Sequence, residues 1–225
     1  MIDKASSQDW ARSVVEANPG SLNDPDGYLA HLRQVQNLAE IVVGNILEAN
    51  PGIPLITKEI SVAAGLHDIG MPRLKKKVFH GLEGARYIEQ EGLERGVADS
   101  LKDVYRIAQM LRSHGFAPEY WQEPEFAGLR KEFEPLNTAL LVPRTWQEVI
   151  VTYADMTNLG GERVTMEERI AESLERYSND HRYADAKIVK VTKVAQPRML
   201  QLARRVEALE QGELTTPEIF QYGFL

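Results

Sequence analysis

Apolar positions recur at helical spacing along most of the chain, and the breaks between them carry recognisable caps and stops. Residues 6–18 form one such segment, closed by Pro19-Gly20. Asp24 and Pro25 open the next, which runs to Asn50 and is closed by Pro51-Gly52, so the same Asn-Pro-Gly chemistry ends both. Residues 57–70 predict a short apolar helix and residues 80–92 another. In residues 96–115, Val104, Ile107, Ala108 and Leu111 share one helical stripe. Two segments, beginning at Thr145 and Thr165, open with the Thr-x-x-Glu pattern of a capping box. A last long helix covers residues 187–211, with Pro197 as a kink or break. No alternating strand of useful length is present, so the pattern predicts an all-α fold.

Residues 115–144 depart from this regularity. Pro118, Pro124, Pro135 and Pro143 alternate there with Phe116, Tyr120, Trp121, Phe126 and Phe133. The prolines forbid a long helix while the aromatics need a surface to cover, which predicts an ordered loop packed on the helices, or a lid over a ligand site. The apolar groups of residues 212–225 are expected to dock on the domain or on a neighbouring subunit.

Composition narrows the chemistry. The 225 residues are 43% hydrophobic and 26% charged, ordinary for a globular protein, with no repeat or low-complexity tract. A formal charge of -7 argues against wholesale binding to nucleic acid or to an anionic membrane and favours a small substrate. With no cysteine, thiolate metal sites, disulfides and cysteine nucleophiles are excluded. The polar start and the lack of a bilayer-length apolar run predict a cytoplasmic protein with no membrane association.

Within this frame a few polar residues stand on faces that should be buried. His31 lies four, seven and eleven residues before Val35, Leu38 and Val42, so it shares their stripe. A lone histidine on such a face often needs nothing more than a hydrogen bond. His67 and Asp68, however, follow Ile60, Ala63 and Ala64, and Asp155 sits in a segment apolar nearly all round. Burying an unpaired carboxylate costs several kcal/mol, so these groups need a cation or several donors. One metal held by His31, His67, Asp68 and Asp155 would satisfy all four. Two imidazoles and two carboxylates suit a divalent ion of the manganese, iron, cobalt, nickel or zinc kind, at about 2.0–2.2 Å.

The order His31, then His67-Asp68 within the sequence His-Asp-Ile-Gly, then a distant Asp155 resembles the HD superfamily of all-α metal-dependent phosphohydrolases. The resemblance runs from about residue 25 to about residue 160. It implies an HD-domain helical bundle over residues 1–160, with residues 161–225 as additional C-terminal helices packed on the same domain. It also implies a second metal, held by Asp68 as a bridge with His80 and His114. Read from the residues alone, His80 also fits a polar helix cap and His114 a helix C-terminal cation. His181 is left as a surface residue.

The family's chemistry would make Asp68 and Asp155 the catalytic carboxylates of a hydrolase that cleaves a phosphate ester of a small metabolite or nucleotide with a metal-activated water. One or two divalent ions per chain would be the cofactor. Phosphate contacts are expected from the basic run after the dipeptide, Arg73 first and then Lys75, Lys76 and Lys77, with Arg112 a further candidate. Met71 stands where many members carry a lysine. The Gly-Tyr-Pro segment of cyclic-di-GMP phosphodiesterases and the Glu-Asp pair of alarmone hydrolases are both missing. Mixed-valence di-iron oxygenases share the same six-ligand pattern, and Tyr28, on the His31 face, could approach their metals or a substrate. A non-catalytic, metal-stabilised interaction domain is the third reading. A homodimer is left open.

Overall fold

A computed structural model describes residues 4–181 and 183–220. Its helices are α1 (Lys4–Ala17), α2 (Pro25–Ala49), α3 (Thr57–Leu66), α4 (His80–Glu91), α5 (Leu101–Arg112), α6 (Ala117–Gln122), α7 (Ala127–Arg130), α8 (Trp146–Met156), α9 (Met166–Asn179), α10 (Ala186–Glu210) and α11 (Thr216–Phe220). The fold is all-α. A two-residue antiparallel pair, β1 (Asn158–Leu159) with β2 (Glu162–Arg163), closes over Gly160 and Gly161. Both glycines have positive φ, the conformation a tight turn needs.

The core forms where the apolar stripes meet. Helix α2 lays Leu32, Val35, Ala39, Val42, Val43 and Ile46 against α3 and α8, while α5 turns Val104, Ile107, Ala108 and Leu111 inward. Each fully buried valine, leucine or isoleucine contributes roughly 1.5–3 kcal/mol. Helices α3 and α8 are buried nearly all round, so any polar group on them is held away from water. Glu59 of α3, 2% exposed, takes two bonds from the Arg106 guanidinium of α5, one of them 2.6 Å. That pairing fixes α3 against α5, and α3 ends at His67.

Residues 115–144 form an ordered, aromatic-rich segment of short helices and single turns. Phe79, Leu82, Phe126, Leu141 and Val191 make a second small core, with Phe116, Tyr120, Trp121 and Phe133 packed on it. Arg198 of α10 clamps this segment by bonding Glu119 at 2.7 and 2.8 Å and the Gly115 carbonyl at 2.8 Å.

Two local expectations need correction. Pro197 does not break its helix: α10 runs from Ala186 to Glu210, because buried Val191, Ala195, Met199 and Leu202 on either side outweigh one lost backbone bond. The Thr165 capping box is reciprocal, but at Thr145 the Glu148 carboxylate reaches one residue further back, to the Arg144 amide at 3.1 Å. Glu148 is buried, meets Gln109 at 3.3 Å and accepts from the Thr145 hydroxyl at 2.9 Å, so it stays on its cap residue's side chain but misses that residue's backbone amide. The hairpin over Gly160 and Gly161 was not anticipated.

Leu214 and Ile219 of the tail pack on the core, and the Trp146 indole donates to the Ile219 carbonyl at 2.5 Å. Residues 221–225, the rest of that apolar tail, lie outside the described residues. Helix α10 packs on α2, α8 and α9. No helix among the described residues is long and apolar enough to cross a membrane.

Candidate metal centre

Four histidines and two aspartates converge from five helical segments. His67 follows the last turn of α3 with Asp68 beside it, His80 opens α4, His114 follows α5, His31 lies on α2 and Asp155 on α8. They group as two sets, His31–His67–Asp155 and Asp68–His80–His114, each within mutual ligand reach. In the first set, His31 Nε2 and His67 Nε2 lie 3.3 and 3.5 Å from Asp155 Oδ1. In the second, His80 Nε2 and His114 Nε2 lie 2.9 and 3.6 Å from Asp68 Oδ1. The other Asp68 oxygen, Oδ2, faces His67 Nε2 at 3.6 Å, so this carboxylate spans the two sets.

The orientation of the rings tests whether a metal fits. The Nδ1 atoms of His67, His80 and His114 face the carbonyl oxygens of Ala64, Lys77 and Leu111 at 2.7, 2.5 and 2.6 Å. A carbonyl can only accept, so Nδ1 carries the hydrogen in each ring. In the uncharged rings the Nε2 lone pairs of His80 and His114 then point at one another, 3.0 Å apart, and that of His67 points at His31 Nε2, 3.3 Å away. Facing lone pairs repel unless a cation lies between them. Two donors about 2.1 Å from one ion sit about 3.0–3.4 Å apart, the separation these pairs have. Each set could therefore hold a metal ion, and the carbonyl bonds are the outer contacts that orient such ligands.

Electrostatics agree. Burial disfavours charge on His67, but Asp68 and then Asp155 overcome it and draw its pKa up to about 9. Burial likewise opposes charge on Asp68 and Asp155, yet the neighbouring imidazoles hold both carboxyls well below the usual range. The cluster thus demands positive charge and takes protons where no metal is bound. Because metal and proton compete for the His67 lone pair, metal binding at pH 7 is expected to release protons and to weaken as pH falls. Calorimetric titration in buffers of differing ionisation enthalpy measures this, and a heat independent of buffer between pH 6 and 8 would remove His67 from the ligand set.

Tyr28 donates its hydroxyl to the Asp68 carbonyl at 2.9 Å. Burial and the Asp68 charge raise its pKa well above the ordinary value, so it remains a neutral donor that pins the His67-Asp68 turn.

A cavity of about 670 Å³ opens over the cluster, lined by His31, Asp68, His80, His114 and Asp155 at its floor. Tyr28, Lys75 and Lys77 also line it. Lys77, however, is pinned to the Met71 and Leu74 carbonyls, both at 2.5 Å, which leaves Lys75 as the exposed ammonium at the mouth. Arg73 and Arg112, expected as phosphate contacts, are not among the lining residues. Arg73 pairs with Glu83 at 3.3 Å and stacks on Tyr87, and Arg112 pairs with Glu89 at 2.6 Å beside a different cleft. That cleft, about 910 Å³ along α5, is larger but holds none of the six cluster residues. His181 is at the surface, its side chain 93% exposed.

The chain matches no protein-family model, no curated protein and no solved structure.

Sequence reasoning missed one wall of the cavity. Arg169, Ser173, Arg176 and Tyr177 of α9 line it, together with Tyr120 and Tyr183. Their offsets of zero, four, seven and eight form one helical stripe, a signal available in the sequence but polar rather than apolar.

Proposed function

We propose that this protein is a metal-dependent phosphohydrolase of the HD type, acting on a phosphate ester of a small metabolite or nucleotide. Asp68 carries this reading, with one carboxylate oxygen facing His67 and the other facing His80 and His114. A single carboxylate that spans two histidine sets suits a pair of ions holding one phosphoryl group between them. The resemblance of His31, His67-Asp68, His80, His114 and Asp155 to the HD pattern supports the same conclusion.

Bound divalent ions would neutralise charge on the phosphoryl oxygens and lower the pKa of water toward neutrality. The chain's own groups do the rest. The backbone carbonyls of Ala64, Lys77 and Leu111 fix three imidazoles, and Tyr28 fixes the backbone of Asp68. Such fixed ligands need little reorganisation during reaction. Lys75 is an exposed lysine on the cavity lining, where its ammonium could meet a phosphate oxygen.

Elemental analysis of protein purified without added metal, followed by a screen of phosphorylated metabolites and nucleotides, tests this. About one or two manganese, cobalt, nickel or zinc ions per chain are expected, with inorganic phosphate released from at least one ester. Two irons with oxygen consumption and no phosphate release would replace the hydrolase by the di-iron oxygenase. Absence of metal after reconstitution would overturn both.

A further inference from the structure

The α9 wall of the cavity carries more cationic donor capacity than the fold uses. Arg169 lies at the cavity with its side chain only 12% exposed, paired through Nη1 with Glu172 and bonded to Ser173 Oγ at 2.9 Å. Its Nε is buried and has no hydrogen-bond partner. Arg176, two helical turns on, repeats the situation: its Nε lies 3.3 Å from Glu172 Oε1 but is buried without a hydrogen bond. A guanidinium offers five N–H donors. The buried Nε atoms are out of a ligand's reach, and the donors left for one are Nη2 of Arg169 and the two terminal nitrogens of Arg176, which make no hydrogen bond among the described residues. Glu172 stands between the two arginines, so the trio carries a net positive charge within a chain of formal charge -7.

Two kinds of ligand could meet this wall, a flat aromatic ring or an anion. The tyrosines nearest the arginines already have ring contacts. The Arg176 guanidinium lies 5.0 Å from the Tyr177 ring centre and 6.0 Å from that of Tyr183, and Tyr120 sits against Phe116 and Phe126 at 6.2 and 5.6 Å. Ring faces used in this way leave little platform for stacking, whereas a guanidinium fork suits a carboxylate or phosphate. The same cavity holds the histidine-aspartate cluster at its floor, so a ligand that fills it meets both.

Resting on the phosphohydrolase reading, we propose that Arg169 and Arg176 form a second anion subsite, and that the substrate carries a further anionic group besides the phosphoryl group it loses. Glu172 pairs with both guanidinium groups and holds them beside one another.

Calorimetric binding to protein loaded with manganese or zinc, with no free metal, tests this without turnover. The probes are ethylphosphonate, with one anionic end, phosphonopropionate, with a carboxylate at the other end, and trimethylene bisphosphonate, with a second phosphonate. At least one doubly anionic probe is expected to bind about tenfold or more tighter than ethylphosphonate, and the stronger of the two names the second group. Arg176→Gln and Arg169→Gln should remove that preference and leave ethylphosphonate within about twofold. Equal affinity of all three probes for the wild-type protein, a comparison that needs no variant to fold, would overturn the subsite while leaving the hydrolase reading intact. So would a preference that survives in Arg176→Gln, whose side chain is 33% exposed and least needed for packing. Failure of ethylphosphonate itself to bind metal-loaded protein would overturn the hydrolase reading and the subsite with it.

Discussion

Replacing Asp68 by alanine is expected to leave the protein without stoichiometric metal and without activity. Asp68 turns one carboxylate oxygen to each histidine set, Oδ2 to His67 and Oδ1 to His80 and His114. Its removal leaves His80 and His114 with two facing lone pairs 3.0 Å apart and no anion to balance a divalent ion. The first set loses a neighbouring charge and keeps only Asp155, so its affinity falls as well. Activity is expected to drop at least about a thousandfold, since the preorganised charge that would stabilise the transition state goes with the metal. Metal content by elemental analysis and turnover on the substrate found by screening measure both effects. The variant should stay folded, because Asp68 is a polar group at a cavity rather than part of the apolar core. Full metal content in Asp68→Ala would show that the cluster does not bind metal as assigned here.

Replacing Gly70 by alanine is expected to lower stability by about 3 kcal/mol or more and to weaken metal binding with it. Gly70 has an ordinary helical φ of -75°, so its reason is space rather than conformation. A Cβ at this position would overlap the His80 carbonyl oxygen and lie 2.6 Å from the Gly84 amide nitrogen. Both obstacles are backbone in the first turns of α4 and cannot rotate away. The turn after Asp68 and the helix that opens with His80 would have to separate, which pulls apart the second ligand set. For a chain of this size the midpoint of thermal unfolding should fall by about 6–12 °C. Gly44→Ala is the control. Nothing lies within 4 Å of a Cβ there, on an exposed face of α2, so the change should stabilise by about 0.5–1 kcal/mol. Equal melting behaviour of the two variants would refute the close-approach role of Gly70. The adjacent Gly81 works similarly, since a Cβ on it would overlap the Leu111 carbonyl oxygen and press on the His114 ring at 2.9 Å.

The residues that could hold metal were legible in the chain because a buried carboxylate is conspicuous on an apolar helix. Asp155 stands in α8 among Ile150, Val151, Tyr153 and Ala154, and His67-Asp68 closes the apolar run of α3. Helix starts at Asp24 and Thr165 could be read from their own side chains, which make the cap bonds. Phosphate contacts could not be read in the same way. Arg73 is close to Asp68 in sequence, but the turn at residues 71–73 sends it toward Glu83 and Tyr87. Arg169 and Arg176 are about a hundred residues from the dipeptide and reach the cavity because α9 packs on α8 and α10.

The sequence by itself determined the long helices, the caps at Asp24 and Thr165 and the polar residues His31, His67, Asp68 and Asp155 on apolar faces, because helical periodicity and the cost of burying charge act locally or on single residues. Only the tertiary structure decided that His31, His67 and Asp155 group without Asp68, which Asp68 oxygen meets which histidine, and which cations line the cavity. Those outcomes depend on helix-to-helix approach set by glycine contacts at Gly70 and Gly81 and by the direction each turn imposes on its side chains. No spacing along the chain encodes them.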